Sequence, residues 1–179
     1  MRKINDILKQ CAVIEVIGDN DRLVSGLAFD SRKCTDGMAF FAIRGTQVDG
    51  HDFIDKVVEQ GTKVIVCEHI PSVMADDVTY YVVDDTAKSL GYAASEFYGR
   101  PSEKLHLVGV TGTNGKTTIA TLLYRLFFNA GYPCGLLSTI ENRINDTVIP
   151  STHTTGDQLQ INEMLSRMVE AGCEYAFME

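Results

Sequence analysis

The segment GVTGTNGKTT, Gly109–Thr118, sets three glycines, four threonines and one lysine between two apolar runs. A simple turn needs far fewer special residues. Gly112 and Gly115 allow the backbone to turn tightly and to aim successive N–H groups to one side. The run KTTIATLLYRLFFN behind them has helical periodicity, so its N-terminus contributes unpaired N–H groups and the positive end of a helix dipole. Lys116 brings a charge that can reach β- and γ-phosphates, and the Thr117 hydroxyl can ligate Mg²⁺. The chemistry that suits this combination is the binding of a nucleoside triphosphate, ATP or GTP, with Mg²⁺. One position departs from the general G-x-x-x-x-G-K-[ST] pattern, which asks for glycine where Val110 stands.

A strand must lead into such a loop and a helix must leave it. LHLVGV reads as an apolar strand buried on both faces of a parallel sheet. After the loop, Ile119, Leu122, Leu123, Leu126, Phe127 and Ala130 fall on one helical stripe that Gly131 ends. CGLLST is a second buried strand, GDQLQINEMLSRMVEAG a helix with Asp157 as N-cap and Gln160 three residues on, and CEYAFME a third strand. Strand–loop–helix–strand–helix–strand implies crossover connections and a parallel sheet, here with one edge left open.

The first half reads differently. AVIEVIG, RLVSGLAFDS, GMAFFAIRG, KVIVCE and VTYYVVDD are strand-like, and HDFIDKVVEQG is a helix stopped by Gly61. A helix begins at TAKSLGYAASEF, and Gly99, Arg100, Pro101 and Ser102 are the strongest punctuation in the chain. The fold class expected is α/β: a small α/β unit at residues 1–87, then the first half of a parallel-sheet phosphate-loop unit at residues 88–179, with the junction between Val83 and Ser102.

Composition narrows the function. With 45% hydrophobic and 22% charged residues the 179-residue chain can bury a core. The net charge of −8, with no local cluster of Lys and Arg, disfavours nucleic acid. Cys11, Cys34, Cys67, Cys134 and Cys173 form no Cys-x-x-Cys pair, and several sit in apolar runs, so buried reduced thiols are expected. No segment has signal-peptide or membrane-span character, which makes the cytoplasm the expected location.

TGTNGKTT resembles the ATP loop of the Mur ligase family, which carries T-G-T-N-G-K-[ST]-T and accepts a residue other than glycine at the first position. The segment FDSRKCTDGMAFFAIRGTQVDGHDFIDKVVEQGTKVIV is similar to the family's N-terminal domain, with its D-S-R, G-x-x-F-x-A-x-x-G and D-G-H-x-F-I elements. GLLSTIEN and STHTTGDQLQINEMLSRMVEAGCEYAFME are closer to the MurE type than to the MurF, MurC or MurD types. The resemblance runs from about Val24 to Glu179.

That resemblance implies the first domain and the opening half of the second in a three-domain ligase of peptidoglycan synthesis. Gly112, Thr113, Asn114, Gly115, Lys116, Thr117 and Thr118 would bind ATP, with Lys116 acting on the transferred phosphoryl group. Thr117 and Glu179 would hold Mg²⁺. Ser31, Thr46, Gln47 and Val48 would contact the uridine-diphosphate end of a UDP-N-acetylmuramoyl dipeptide. Thr154 and Thr155 would contact its muramoyl and diphosphate region, although Gly156 and Gln158 stand where most relatives have proline. Asp49, Gly50 and His51 would shape a turn and cap a helix. The implied reaction passes through an acyl phosphate, which the amine of a diamino acid, diaminopimelate or lysine, attacks. The amino-acid pocket would lie beyond residue 179, so these residues alone would not turn over. The alternatives are a MurF-like ligase, a nucleotide switch without ligase chemistry, and a non-catalytic UDP-sugar-binding module.

Overall fold

The computed structural model describes residues 1–46, 48–150 and 157–179, and the chain divides into two units, Met1–Phe97 and Tyr98–Glu179. The first runs through β1 (Arg2–Lys3), α1 (Ile4–Ile7), β2 (Val13–Ile17), β3 (Leu23–Val24), β4 (Gly26–Ala28), β5 (Met38–Phe41), α2 (Ile54–Glu59), β6 (Val64–Cys67), β7 (Thr79–Val83) and α3 (Thr86–Phe97). Its main sheet has the order β2-β7-β6-β5-β4. The last four of these strands are parallel, while β2 runs antiparallel to β7 with an irregularity between Val13 and Glu15. β6 and β7 are buried along their whole length, the consequence of β-branched and aromatic runs covered on both faces. Phe40, Ile54, Val57, Ile65 and Tyr80 form the core between the sheet and α2.

The division after Phe97 falls inside the Val83–Ser102 span read from the sequence, beyond the boundary at residue 87 at the start of α3. Burial explains the difference. α3 packs on α1 and β5 through Leu90, Ala93 and Ala94, all buried. Its C-terminal carbonyls are also claimed by this unit: the Arg2 guanidinium donates to Phe97 O at 2.8 Å and to Glu96 O.

The second unit contains β8 (His106–Gly109), α4 (Lys116–Asn129), β9 (Cys134–Leu137), β10 (Glu141–Ile144), β11 (Thr147–Pro150), α5 (Gln158–Glu170) and β12 (Tyr175–Met178). Its sheet has the order β11-β10-β9-β12-β8, with β9, β12 and β8 parallel. The β10–β11 hairpin is antiparallel and joins β9; these two strands were not expected from the sequence. Asp157 caps α5 as expected, its Oδ1 accepting from Gln160 N at 2.9 Å, and its Oδ2 accepts from Gln160 Nε2 at 3.0 Å.

Two expectations for this unit require correction. β8 is exposed rather than buried on both faces, because it lies at the sheet edge and pairs with β12 alone. α4 does not bury the whole stripe. Ala120 and Tyr124 face Cys134, Leu136 and Phe177, with Leu123 and Phe127 packed beside them. Leu122 and Leu126 are 59% and 64% exposed, and Ile119 is exposed too. The helix sits over β9 and β12, so the side directed away from those strands stays open. Four of the five free cysteines are buried, as expected, and burial pushes the Cys67 and Cys134 thiols up to about 11.

After β5 the chain doubles back so closely that Gly50 N donates to Ile43 O at 2.8 Å. A Cβ at Gly50 would stand 2.6 Å from both Ile43 N and Ile43 O. Backbone cannot yield as a flexible side chain can. Gly50→Ala should therefore destabilise the first unit by about 2 kcal/mol or more. An unchanged thermal midpoint would contradict this packing.

Candidate functional site

In the second unit the candidate residues gather at the carboxyl ends of the parallel strands. β8 hands the chain to the glycine loop just after Val110 N bonds Met178 O at 2.7 Å. Gly112 has φ 146° and Gly115 φ 78°. The space around Gly115 is open, so the left-handed backbone rather than crowding calls for glycine there. Gly115 is also the N-cap of α4, and no side chain caps the helix. Its first N–H groups are left for a ligand. Thr113, Asn114 and Thr118 are exposed around this opening. Lys116 Nζ donates to Gly112 O at 2.8 Å, which folds the side chain back over its own loop.

Glu179 closes the other side. Its Oε1 accepts from Thr139 N at 2.6 Å, while Oε2 is buried and has no hydrogen-bond partner among the described residues. Burial pushes this carboxyl up, but the Thr117 and Thr139 side chains, the Thr139 N–H and the Lys116 charge outweigh it and hold the pKa below its ordinary value. A buried carboxylate oxygen without a donor, next to a threonine hydroxyl, is a hard-oxygen pair that fits Mg²⁺. Among the described residues no group of three or more His, Cys, Asp or Glu could hold a metal. Mg²⁺ needs no such cage, since phosphates and water complete its shell. Thr139 was not singled out from the sequence; its place after β9, parallel to β12, is what brings it to Glu179.

In the first unit, Ser31 follows β4 and is 9% exposed. The neighbouring Asp30 carboxylate accepts from Arg32 N at 3.0 Å and from the Arg32 guanidinium at 2.9 and 2.8 Å. Asp30 and Arg32 thus satisfy each other, and no hydrogen bond among the described residues occupies the Ser31 hydroxyl. Thr46 and Val48 follow β5, the parallel neighbour of β4, and both are exposed. Between them and the sheet, Gly45 N bonds Val48 O at 2.9 Å and Arg44 bridges Asp49. Asp49 caps the short 3-10 turn Gly50–Phe53 by accepting from His51 N, the turn-shaping role expected of that motif. Gln47, Thr154 and Thr155 lie outside the described residues. Glu68 and Thr86, which reach this loop from β6 and α3, carry no sequence signal of that role.

The match to known proteins covers most of the chain. Residues 23–98 match the family model described as "Mur ligase family, catalytic domain" and residues 110–179 that described as "Mur ligase middle domain". The UDP-N-acetylmuramoyl-L-alanyl-D-glutamate–2,6-diaminopimelate ligase of Phocaeicola vulgatus is 50% identical over 177 residues, 99% of this chain and 37% of that protein. A solved structure of a ligase of the same name superimposes with a TM-score of 0.79 at 25% identity, over 99% of this chain and 35% of the other. The MurF ligase of Thermotoga maritima, solved with ADP, gives a TM-score of 0.53 at 27% identity, over 79% of this chain and 29% of that one. The chain thus spans little more than a third of the length of the curated relative.

Asp30 and Asp49 are both held at about 2, well below the ordinary 3.8, the first by the Arg32 side chain and the second by the His51 N–H and then the His51 ring. A depressed carboxylate stabilises the fold above its unfolded value and loses that contribution as pH falls through the folded one. The first unit should therefore lose thermal stability between about pH 4 and pH 2. Asp49→Asn should flatten part of that slope; an acid profile identical to the parent's would contradict the assignment.

Proposed function

The chain belongs to the Mur ligase family, and from that premise we propose that it carries the nucleotide-sugar-binding region and the opening of the ATP-binding region of a ligase. That ligase would add diaminopimelate to UDP-N-acetylmuramoyl-L-alanyl-D-glutamate, the reaction named for its 50%-identical relative. The observation that carries the reading is the buried, unpartnered Glu179 Oε2 beside Thr117 and Lys116, behind a glycine loop and an uncapped helix N-terminus. Such a constellation is suited to a triphosphate and its cation.

In this reading Gly112, Thr113, Asn114, Gly115, Thr117 and Thr118 surround the phosphates of ATP. Lys116 leaves the Gly112 carbonyl for the phosphoryl oxygens, where it offsets charge as the group passes to the D-glutamyl carboxylate. Thr117 and Glu179 would hold Mg²⁺, which when bound neutralises phosphate charge. Ser31, Thr46, Gln47 and Val48 take the uridine-diphosphate end, and Thr154 and Thr155 the muramoyl side of the diphosphate. A soluble nucleotide-linked substrate and ATP place the work in the cytoplasm. Among the described residues no helix is long and apolar enough to cross a membrane.

Two experiments test this. Titration of the 179-residue protein with UDP, followed by amide NMR shifts, should move signals around Ser31 and Thr46; shifts confined to residues 109–118 would sink the uridine-site reading. Lys116→Ala should abolish ATP binding, by about 100-fold or more, while leaving the UDP response of the first unit intact. Retained ATP affinity would remove the phosphate loop from the proposal.

A further inference from the structure

We propose that His51 is a positioning residue for the uridine-nucleotide loop, and that it sets the loop through Asp49 and Arg44 without meeting the ligand. The inference rests on the assignment of Thr46 and Val48 to uridine-nucleotide binding.

The protonation state of His51 follows from its partners. The ring is 5% exposed and stacks on His69 with centroids 4.0 Å apart and planes 12° apart. Glu68 N donates to His51 Nε2 at 2.9 Å. A backbone amide can only donate, so Nε2 carries no proton. The neutral ring then holds its hydrogen on Nδ1, which donates to Asp49 Oδ1 at 2.6 Å. Both nitrogens are engaged, and neither remains to move a proton for a substrate.

The same bonds fix the loop at both ends. Asp49 Oδ1 also accepts from His51 N at 3.0 Å, and Oδ2 from Arg44 Nε at 3.2 Å. Arg44 and Asp49 bracket Thr46 and Val48, so locking the first pair limits where the second can stand. On the far side the Glu68 carboxylate accepts from Thr86 N at 3.1 Å and lies 3.0 Å from Thr86 Oγ1, which in turn lies 3.0 Å from Ala42 O. Ala42 opens the loop. His51 and Thr86 thus tie its exit and its entry to the carboxyl ends of β6 and β7, the most deeply buried strands of the sheet. A ligand that needs Thr46 and Val48 in one place finds them already there, which reduces the ordering cost of binding.

The two nitrogens can be tested apart. His51→Asn keeps a donor near the Nδ1 position and loses the Glu68 contact. His51→Gln keeps an acceptor near Nε2 and loses the donor to Asp49, and His51→Leu loses both. UDP affinity, measured by NMR titration of the 179-residue protein, should fall about threefold in the Asn variant, which loses only the tie to β6, and about tenfold in the Gln and Leu variants, which lose the donor to Asp49. Arg44→Gln, at a largely exposed side chain, should weaken UDP about threefold. Imidazole ¹⁵N shifts should show Nδ1 protonated and Nε2 bare at neutral pH. Affinity that merely follows the melting temperature of each variant, or an Asn variant as weak as Leu, would overturn the positioning role alone. Failure of the parent protein to bind UDP would overturn the uridine assignment and this inference together.

Discussion

Parallel pairing is the constraint on which the rest of the structure depends. Parallel strands cannot be joined by a tight turn, so each must be followed by a connection that leaves the sheet and returns. Those departures all occur at the carboxyl ends. Ser31 follows β4, Thr46 and Val48 follow β5, Glu68 follows β6 and Thr86 opens α3 just after β7. In the second unit the glycine loop follows β8, Thr139 follows β9 and Glu179 follows β12. Residues scattered over the sequence are collected because the hydrogen-bond geometry of the sheets gives them one common exit, the place where open α/β sheets hold their ligands.

The two candidate sites differ in how their polar groups are satisfied. Around Asp49 both carboxylate oxygens are engaged, Oδ1 by His51 and Oδ2 by Arg44, and these bonds shape the described part of the loop. Around Glu179 one oxygen is buried and left over. Desolvating a carboxylate without compensation is unfavourable, so the fold tolerates at the phosphate loop what it avoids in the first unit. A saturated network suits support. An incomplete one suits a ligand that completes it.

What was legible in the sequence was local. Gly112, Gly115 and Lys116 signal themselves, because a left-handed backbone and a charge ahead of a helix are properties of neighbouring residues. Asp157 and Gln160 are legible for the same reason. The stripe on α4 was only half legible: periodicity shows which residues share a face, but not which part of that face meets the sheet, and Ile119, Leu122 and Leu126 are left exposed. The junction lies inside the span read from the sequence, but its exact place was not legible, because the burial of Leu90, Ala93 and Ala94 depends on packing outside their own helix. Contacts across 18 and 44 residues, those of Thr86 with Glu68 and Ala42, leave no trace in spacing at all.

The folded-back Lys116 has a consequence for discrimination among anions. Its ammonium already holds the Gly112 carbonyl at 2.8 Å, so any incoming anion competes with a bond inside the loop. Chloride offers one centre of charge, and sulfate a small cluster without reach. Either would have to displace that carbonyl while leaving most of the inward N–H groups as they were. A polyphosphate can replace the carbonyl with one oxygen and satisfy the amides with others. A ligand that replaces the carbonyl and meets several N–H donors at once would therefore displace the lysine more readily than a single-centred anion would.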